Sequence, residues 1–138
     1  MEKAEIISNS KDSIYATGRR KTSIAKVWLK KGSGKISVNG KDYVQYFKRA
    51  NHQMKLLRPL EIIEQSTNYD VKCNVKGGGL TGQVGAMVHG ISKALILFDS
   101  GFKSILKKEK LNTRDSRAVE RKKYGRRKAR RSFQFSKR

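Results

Sequence analysis

69-YDVKCNVKGGGLTGQVGAMVHGISKALILF-98 carries the clearest structural pattern in the chain. Its first eight residues alternate between apolar and polar side chains, which predicts a strand with one buried and one solvated face. The glycines at 77–79 end that strand. From about Thr81 to Phe98 the apolar side chains recur at helical spacing, with Gln83 and Lys93 off the apolar stripe. The stripe contains Val84, Met87, Val88, Ile91, Leu95 and Phe98.

A second alternating segment runs from Ile24 to Leu29, nearer the N-terminus. Its lysines share one face with Trp28, for which we expect a packing partner in RNA or in a helix. A Gly-Ser-Gly turn at 32–34 leads on to a short strand over 35–38. Two alternating segments joined by a glycine turn predict a β-hairpin. The residues expected to point inward are Ala25, Val27, Leu29, Ile36 and Val38.

Three shorter helices are predicted from capping, apolar and proline residues. Asp42 is a candidate N-cap for a helix over 43–47. A helical turn over about 51–57 should end before Pro59, because proline cannot donate a backbone hydrogen bond. A last helix is expected around the apolar residues Phe102, Ile105 and Leu106.

The periodic pattern ends at about Leu111. The segment after it cannot bury enough apolar surface to offset an ordering cost of ~1–2 kcal/mol per residue, so we predict that it is extended and disordered when free. The chain therefore divides into a disordered polar leader over 1–13, a globular domain over 14–111 and an extended basic tail over 112–138.

Charge is the outlying property of the composition. The chain has 33 Lys and Arg residues against 11 Asp and Glu residues, for a net charge of +22. The excess covers both the globular domain and the tail, which predicts a polyanionic partner that surrounds the protein. Nucleic acid fits best; the rival is an anionic membrane surface, but no basic amphipathic helix keeps a free apolar face and no apolar run could span a bilayer. The single Cys73 predicts a reducing cytoplasm rather than a disulfide framework.

The strongest local signal is the run Glu120-Arg-Lys-Lys-Tyr-Gly-Arg-Arg-Lys-Ala-Arg-Arg131. One interpretation is a solvated charge run or a localisation-like patch. We favour a phosphate-binding arm, because arginine makes bidentate contacts to phosphate and interleaved aromatic rings can stack on bases. Gly125 would let such an arm turn tightly along an RNA groove. The aromatic residues are Tyr124, Phe133 and Phe135.

Two further segments are predicted to contact phosphate groups. The basic cluster Thr17-Gly-Arg-Arg-Lys-Thr22 sits just before a strand and extends the positive surface of the tail. The glycine loop Lys76-Gly-Gly-Gly-Leu-Thr-Gly-Gln83 has a G-x-G-x-x-G spacing, in which backbone amides and a helix N-terminus hold a phosphate. The chain is too short for a dinucleotide fold, and Gln83 and Val84 stand where a Walker A loop needs Lys and Ser or Thr. The loop thus predicts a contact to RNA phosphate or only a tight turn with close helix packing, and the two are compatible.

The sequence offers no enzymatic constellation. His52 and His89 lie far apart, and neither has metal-ligand spacing to Cys73, which falls on the inward face of its strand. The carboxylates are scattered rather than paired for acid–base catalysis, and Asp99 and Asp115 are expected to cap or to form local salt bridges. We therefore expect no catalysis, cofactor, metal or small-molecule substrate.

Seven short motifs occur along the chain in a fixed order. They are Ala16-Thr-Gly-Arg-Arg-Lys-Thr-Ser23, Gly34-Lys-Ile-Ser-Val-Asn-Gly40, Val75-Lys-Gly-Gly-Gly-Leu-Thr-Gly-Gln83, His89-Gly-Ile-Ser-Lys-Ala-Leu95, Thr113-Arg-Asp-Ser-Arg117, Glu120-Arg-Lys-Lys-Tyr-Gly125 and Gln134-Phe-Ser-Lys-Arg138. Each alone is weak, but the ordered set is highly specific. Over about residues 14–138 the chain resembles the family of the ninth small-subunit ribosomal protein in its bacterial form.

The resemblance implies a small single α+β domain with a mostly antiparallel sheet and helices on one face. It also implies a left-handed βαβ crossover, as in the second domain of the fifth small-subunit ribosomal protein. The family would place the protein in the head of the small subunit, on the 3′ major domain of 16S rRNA and beside neighbouring head proteins. The cytoplasm of a bacterium is then the expected location, with an organellar ribosome the less favoured alternative.

The resemblance further implies that the tail reaches the anticodon stem-loop of the P-site tRNA during translation. Its tRNA contacts would be Ser136, Lys137 and Arg138. The residues expected to contact rRNA are Arg19, Arg20, Lys21, Lys76, Gly77, Gly78, Gly79, Gly82, Gln83, Arg114, Arg117, Arg121, Lys122, Lys123, Tyr124, Gly125, Arg126, Arg127, Lys128, Arg130 and Arg131. The rival functions are a general DNA-compacting basic protein and, less favoured, an RNA-processing or phosphotransfer enzyme that uses the glycine loop.

Overall fold

A computed structural model describes residues 13–64 and 69–135, and the helices and strands below are those of these ranges. The strands are β1 (Ile14–Arg20), β2 (Ser23–Lys31), β3 (Ile36–Val38), β4 (Lys41–Asp42) and β5 (Tyr69–Lys76). The helices are α1 (Tyr43–Tyr46), α2 (Ala50–Ile62), α3 (Leu80–Phe98) and α4 (Phe102–Lys108). The disorder predicted for residues 1–13 lies outside the described residues except at Ser13. The tRNA contacts predicted for Ser136, Lys137 and Arg138 lie wholly outside them.

The strand and the helix predicted within residues 69–98 are confirmed as β5 and α3. Side chains along β5 alternate between buried and solvated, as the sequence pattern predicts. Cys73 is fully buried, and this burial raises the pKa of its thiol to about 12, so its predicted core role is confirmed. The last predicted helix is also confirmed, as α4.

The sheet has the strand order β1-β2-β5-β3-β4, with only the β3–β5 pair parallel. The register places Ala16 opposite Val27, Val27 opposite Cys73 and Cys73 beside Val38, so these buried residues share one face. That face is covered by α3, against which α2 packs in turn. The predicted α+β class, with a mostly antiparallel sheet and helices on one face, is confirmed. A βαβ crossover through α1 and α2 joins β3 to β5, and its left-handed sense stays a prediction.

The hairpin predicted between the second and third strands is wrong, because β5 lies between them. Asp70 of β5 supplies the physical reason. Its Oδ1 atom accepts hydrogen bonds at 3.0 Å from the three successive backbone N–H groups of residues 33–35. These bonds wrap the turn around β5 and bring β3 to the far side of that strand. The hairpins among the described strands join β1 to β2, through a turn at 21–22, and β3 to β4, through a turn at 39–40.

Replacing Asp70 by alanine should destabilise the protein by roughly 2 kcal/mol, because three backbone donors lose a charged acceptor. Asp70→Asn keeps an acceptor oxygen and should cost less. Burial opposes ionisation of Asp70, but the N–H groups of Lys35, Gly34 and Ser33 outweigh it and hold the pKa of this carboxyl below 3.8. The advantage of wild type over Asp70→Asn is therefore present above pH 3.8 and disappears as the pH falls through the folded pKa. Urea unfolding across pH measures this, and equal stability of all three proteins at pH 7 would contradict the proposed role of Asp70.

Two predictions about the helices need correction. The predicted end of a helix before Pro59 is wrong, since α2 continues through this residue to Ile62. Pro59 is buried together with Leu56 and Leu60, and packing of this apolar face outweighs the backbone hydrogen bond that proline removes. Asp42 does occupy the N-cap position of α1, but its side chain makes no capping hydrogen bond.

Glycines allow β1 to lie directly against α3. A Cβ atom added to Gly18 would lie 1.9 Å from the carbonyl oxygen of Ala86 and 2.3 Å from the backbone nitrogen of Gly90. A Cβ added to Gly90 would in turn lie 2.7 Å from Cγ2 of Val27. This close approach holds the arginines that follow Gly18 beside the middle of the helix.

Candidate nucleic-acid interface

The basic cluster and the glycine loop meet at one end of the sheet, although they are distant in sequence. A Cβ on Gly77 would lie 2.6 Å from the carbonyl oxygen of Thr22, and one on Gly78 would lie 2.2 Å from Oγ of Ser23. Gly77 and Gly78 have φ values of 80° and 61°, a region that suits glycine. The tight turn and close packing predicted for the loop are therefore confirmed. Lys21, at the tip of the β1–β2 turn, is exposed beside them.

A buried polar network supports the glycine loop from below. The carbonyl oxygen of Gly77 accepts hydrogen bonds from Oγ of Ser23 at 2.8 Å and from Nε2 of Gln83 at 3.2 Å. The Oε1 atom of Gln83 accepts a hydrogen bond from the hydroxyl of Tyr46 at 2.7 Å. Gln83 is 9% exposed, so the prediction that it lies off the buried stripe is wrong. Its amide and the buried Gly82 position the loop, whereas the exposed backbone at 77–79 faces solvent.

A cleft of about 490 Å³ runs from the end of β1 to the beginning of the tail. Its cationic lining residues outnumber the carboxylates Glu109 and Asp115, which makes the cleft a basic one. The basic lining residues are Arg19, Arg20, Lys55, Arg58, Lys110 and Arg117. Sequence reasoning missed Lys55, Arg58 and Lys110, although the spacing of Lys55 and Arg58 marks one face of a helix.

Arg20 and Asp115 connect the globular domain to the tail. The Nη2 atom of Arg20 lies 3.4 Å from Oδ2 of Asp115. The Arg20 side chain packs over Gly85, where an added Cβ atom would lie 2.3 Å from Cδ of Arg20. Hydrogen bonds from Arg117, followed by the charge of Arg117 and then that of Arg20, hold the pKa of the Asp115 carboxyl well below its usual 3.8. The local salt bridge predicted for Asp115 is confirmed. The guanidinium group of Arg20 is therefore partly engaged by the tail and only partly available to a phosphate.

His89 makes a second connection, between β1 and the base of the tail, by which we mean residues 112–117. Its Nδ1 atom accepts a hydrogen bond from the backbone N–H of Arg19 at 3.3 Å. The His89 side chain also forms a hydrogen bond with the backbone of Asn112. Burial, followed by the charge of Lys93, lowers the pKa of His89 below 6.5, so the ring is neutral at pH 7 and can accept this bond. Among the described residues, no group of three His, Cys, Asp or Glu side chains could hold a metal ion.

The described part of the tail, residues 112–135, has no helix or strand and is largely exposed. It curls locally around Glu120, which pairs with Lys123 and, at 3.0 Å, with Arg130. Gly125 has a φ of 72° and lies in a turn, whereas the course of this turn along an RNA groove stays a prediction. Tyr124 is 98% exposed, and Phe135 is 87% exposed. The tail therefore presents aromatic surface beside exposed cations, which are Arg114, Arg117, Arg121, Lys122, Arg126, Arg127, Lys128, Arg130 and Arg131.

The structure thus joins the glycine loop, the basic cluster and the base of the tail into one cationic surface. Across the described ranges, no helix is both long and apolar enough to span a membrane. A family model described as ribosomal protein S9/S16 matches residues 18–138, a range that contains the glycine loop, the tail and every cation of the basic cluster.

Proposed function

The chain belongs to the ribosomal protein S9/S16 family, whose members have a structural role in the ribosome, and from this premise we propose that it is the bacterial-type protein of the small-subunit head. In this proposal it binds the 3′ major domain of 16S rRNA beside other head proteins, in the bacterial cytoplasm. The observation that supports the proposal best is the continuous cationic surface from the glycine loop through the β1–β2 turn and the cleft into the tail. A surface of this extent suits a folded polyanion that encloses the protein.

The globular domain docks first in the proposed mechanism. Arg19, Lys21 and the exposed backbone at 77–79 contact rRNA phosphates from a rigid end of the sheet. The buried hydrogen bonds of Gln83 and Ser23 to Gly77 hold that loop in one conformation before binding. Such preorganisation lowers the entropic cost of association.

The tail then lies along phosphates that would otherwise repel each other inside a packed RNA domain. Its arginines and lysines release condensed counterions as they bind. Tyr124, Phe133 and Phe135 offer stacking surfaces for unpaired bases. Asp115, held by Arg20, sets the point from which the tail leaves the globular domain.

Competition between nucleic acids tests this function against its rival. The full chain should prefer a folded RNA that represents the head domain over duplex DNA of equal length by at least about tenfold at 0.15 M salt, because the rigid surface is matched to a folded RNA. Filter binding with labelled RNA and unlabelled DNA measures the ratio. Equal competition by duplex DNA would favour the alternative, a general DNA-compacting basic protein.

We also propose that Ser136, Lys137 and Arg138 contact the anticodon stem-loop of the P-site tRNA. Deleting residues 136–138 removes two side-chain cations at the chain end and leaves the surface described above intact. Subunit assembly should therefore be nearly unchanged, while tRNA affinity at the P site falls by about three- to tenfold. Binding of tRNA to reconstituted small subunits measures the change. Loss of assembly in this variant would contradict the division of roles between the tail and its end.

A further inference from the structure

The face of the sheet that the helices leave uncovered carries an aromatic pair. Tyr15 of β1 and Trp28 of β2 lie opposite each other, with ring centroids 5.2 Å apart and ring planes tilted by 48°. Tyr15 is 46% exposed, Trp28 is half-buried, and the hydroxyl of Thr17 donates a hydrogen bond to that of Tyr15 at 3.0 Å. Neither ring lines the cleft or belongs to the basic cluster, the glycine loop or the tail.

Lysines surround this aromatic pair. The register puts Lys26, Trp28 and Lys30 in one row along β2, and Lys72 directly beside Trp28 on β5. Two carboxylates share the face: Asp42 lies at its outer edge, and the three backbone N–H groups already bonded to Asp70 partly neutralise that side chain. The face as a whole is therefore cationic, and its lysines are Lys26, Lys30, Lys35, Lys72 and Lys76.

The same face is concave beside the aromatic pair. A depression of about 490 Å³ is lined by Trp28, by the three lysines Lys30, Lys35 and Lys72, by Asp70, whose Oδ1 atom is held by backbone N–H groups, and by two serines and Val71. A smaller one of about 230 Å³ lies between Ile24, Lys26 and Lys76. A concavity with an aromatic wall and a cationic rim fits an unstacked base with its phosphates.

We propose that this open sheet face is a second RNA-binding surface that takes a single-stranded segment. A base stacks on Trp28 and Tyr15, and the flanking phosphates lie on Lys26, Lys30 and Lys72. Single-stranded RNA fits better than duplex RNA, because a duplex keeps the faces of its bases stacked inside the helix. The proposal relies on the proposed function only for the class of partner, since its residues lie outside the cleft and the tail.

Trp28 is the only tryptophan of the chain, so its fluorescence reports on this face alone. Addition of a ten-nucleotide oligouridine to the full chain should quench Trp28 fluorescence saturably and protect the ring from acrylamide. The tail also binds this RNA, but it contains no tryptophan, so its binding leaves the signal unchanged. A duplex RNA of equal charge and the base-free polyanion heparin should quench much less.

Charge reversal on the face supplies the matched variants. In the double variant K26E/K72E the oligouridine concentration at half-maximal quenching should rise by about tenfold or more, because both lysines flank Trp28. The control K103E/K107E makes the same charge change at exposed positions on α4 and should alter that transition less than twofold.

Several results would overturn the proposal. Equal quenching by heparin or duplex RNA would show that only charge is recognised. Greater exposure of Trp28 after deletion of residues 1–12 in the RNA-free protein would make the acidic leader the occupant of the face. Protection of Trp28 in assembled subunits without quenching by RNA would make it a protein contact. If the chain binds folded RNA but oligouridine leaves Trp28 fluorescence unchanged, the proposal for this sheet face is wrong while the proposed function stands.

Discussion

Deleting residues 119–138 should lower the affinity of the protein for its folded RNA by about three orders of magnitude at 0.1 M salt. The deletion removes ten cationic side chains but keeps Asp115 and its contact to Arg20, so the globular domain is left undisturbed. If each cation neutralises one phosphate, the slope of log affinity against log salt should become less steep by about 7, at roughly 0.7 per single-strand phosphate. Filter binding at four salt concentrations measures both quantities.

A variant in which every tail arginine after residue 118 becomes lysine is the matched control. It keeps the charge, so its slope of log affinity against log salt should differ from that of wild type by no more than about one. Its affinity should fall by roughly tenfold, because lysine cannot make bidentate contacts to phosphate. A slope between about 0 and −2 for the full chain would contradict the tail as a phosphate-binding arm.

Replacing Gly18 by alanine should destabilise the fold by about 3 kcal/mol or more, near the upper limit for an overpacked core. The new methyl group would lie 1.9 Å from a backbone oxygen and 2.3 Å from a backbone nitrogen of α3, and neither atom can move without shifting the helix. The melting temperature should fall by about 10 °C or more. Because β1 also positions Arg19 and Arg20, RNA affinity should fall wherever the variant is partly unfolded. Circular dichroism melts and urea unfolding measure the loss.

Gly79→Ser is the matched control for this substitution. A Cβ on Gly79 meets nothing within 4 Å, and serine is favoured at the N-cap position that Gly79 occupies on α3. Its free energy of unfolding should stay within about 0.5 kcal/mol of wild type. If Gly18→Ala cost less than about 1 kcal/mol, β1 and α3 would not be packed as tightly as the distances indicate.

Local patterns predicted the centre of this fold well. The strict alternation of residues 69–76 and the apolar stripe after residue 80 depend only on which side chains face the core, so β5 and α3 follow from them directly. Gln83 is the exception on α3, because an amide that is satisfied by Tyr46 and Gly77 can occupy a buried position that polarity alone would exclude. Pro59 is a similar case, since burial outweighs its local preference.

The interface was only partly predictable for the same reason. The tail and the basic cluster were visible as runs of charge, and the glycines of residues 77–79 as a turn. Lys55, Arg58 and His89 were not assigned to it, because each becomes part of the cleft only when α2 and α3 pack beside the end of β1. The contact of Arg20 with Asp115 likewise joins distant segments that no local pattern connects.

Residue order alone established the buried face of each main strand, the long helix, the aperiodic basic tail and the ordered motifs of a ribosomal protein family. Three-dimensional packing settled which strands are neighbours, which arginine anchors the tail, and where the glycine loop meets the basic cluster. Periodicity records how a segment divides between core and solvent, whereas strand neighbours depend on bonds between remote residues. Asp70 illustrates this: its carboxylate binds the backbone of residues 33–35 and so inserts β5 where local pattern predicted a hairpin.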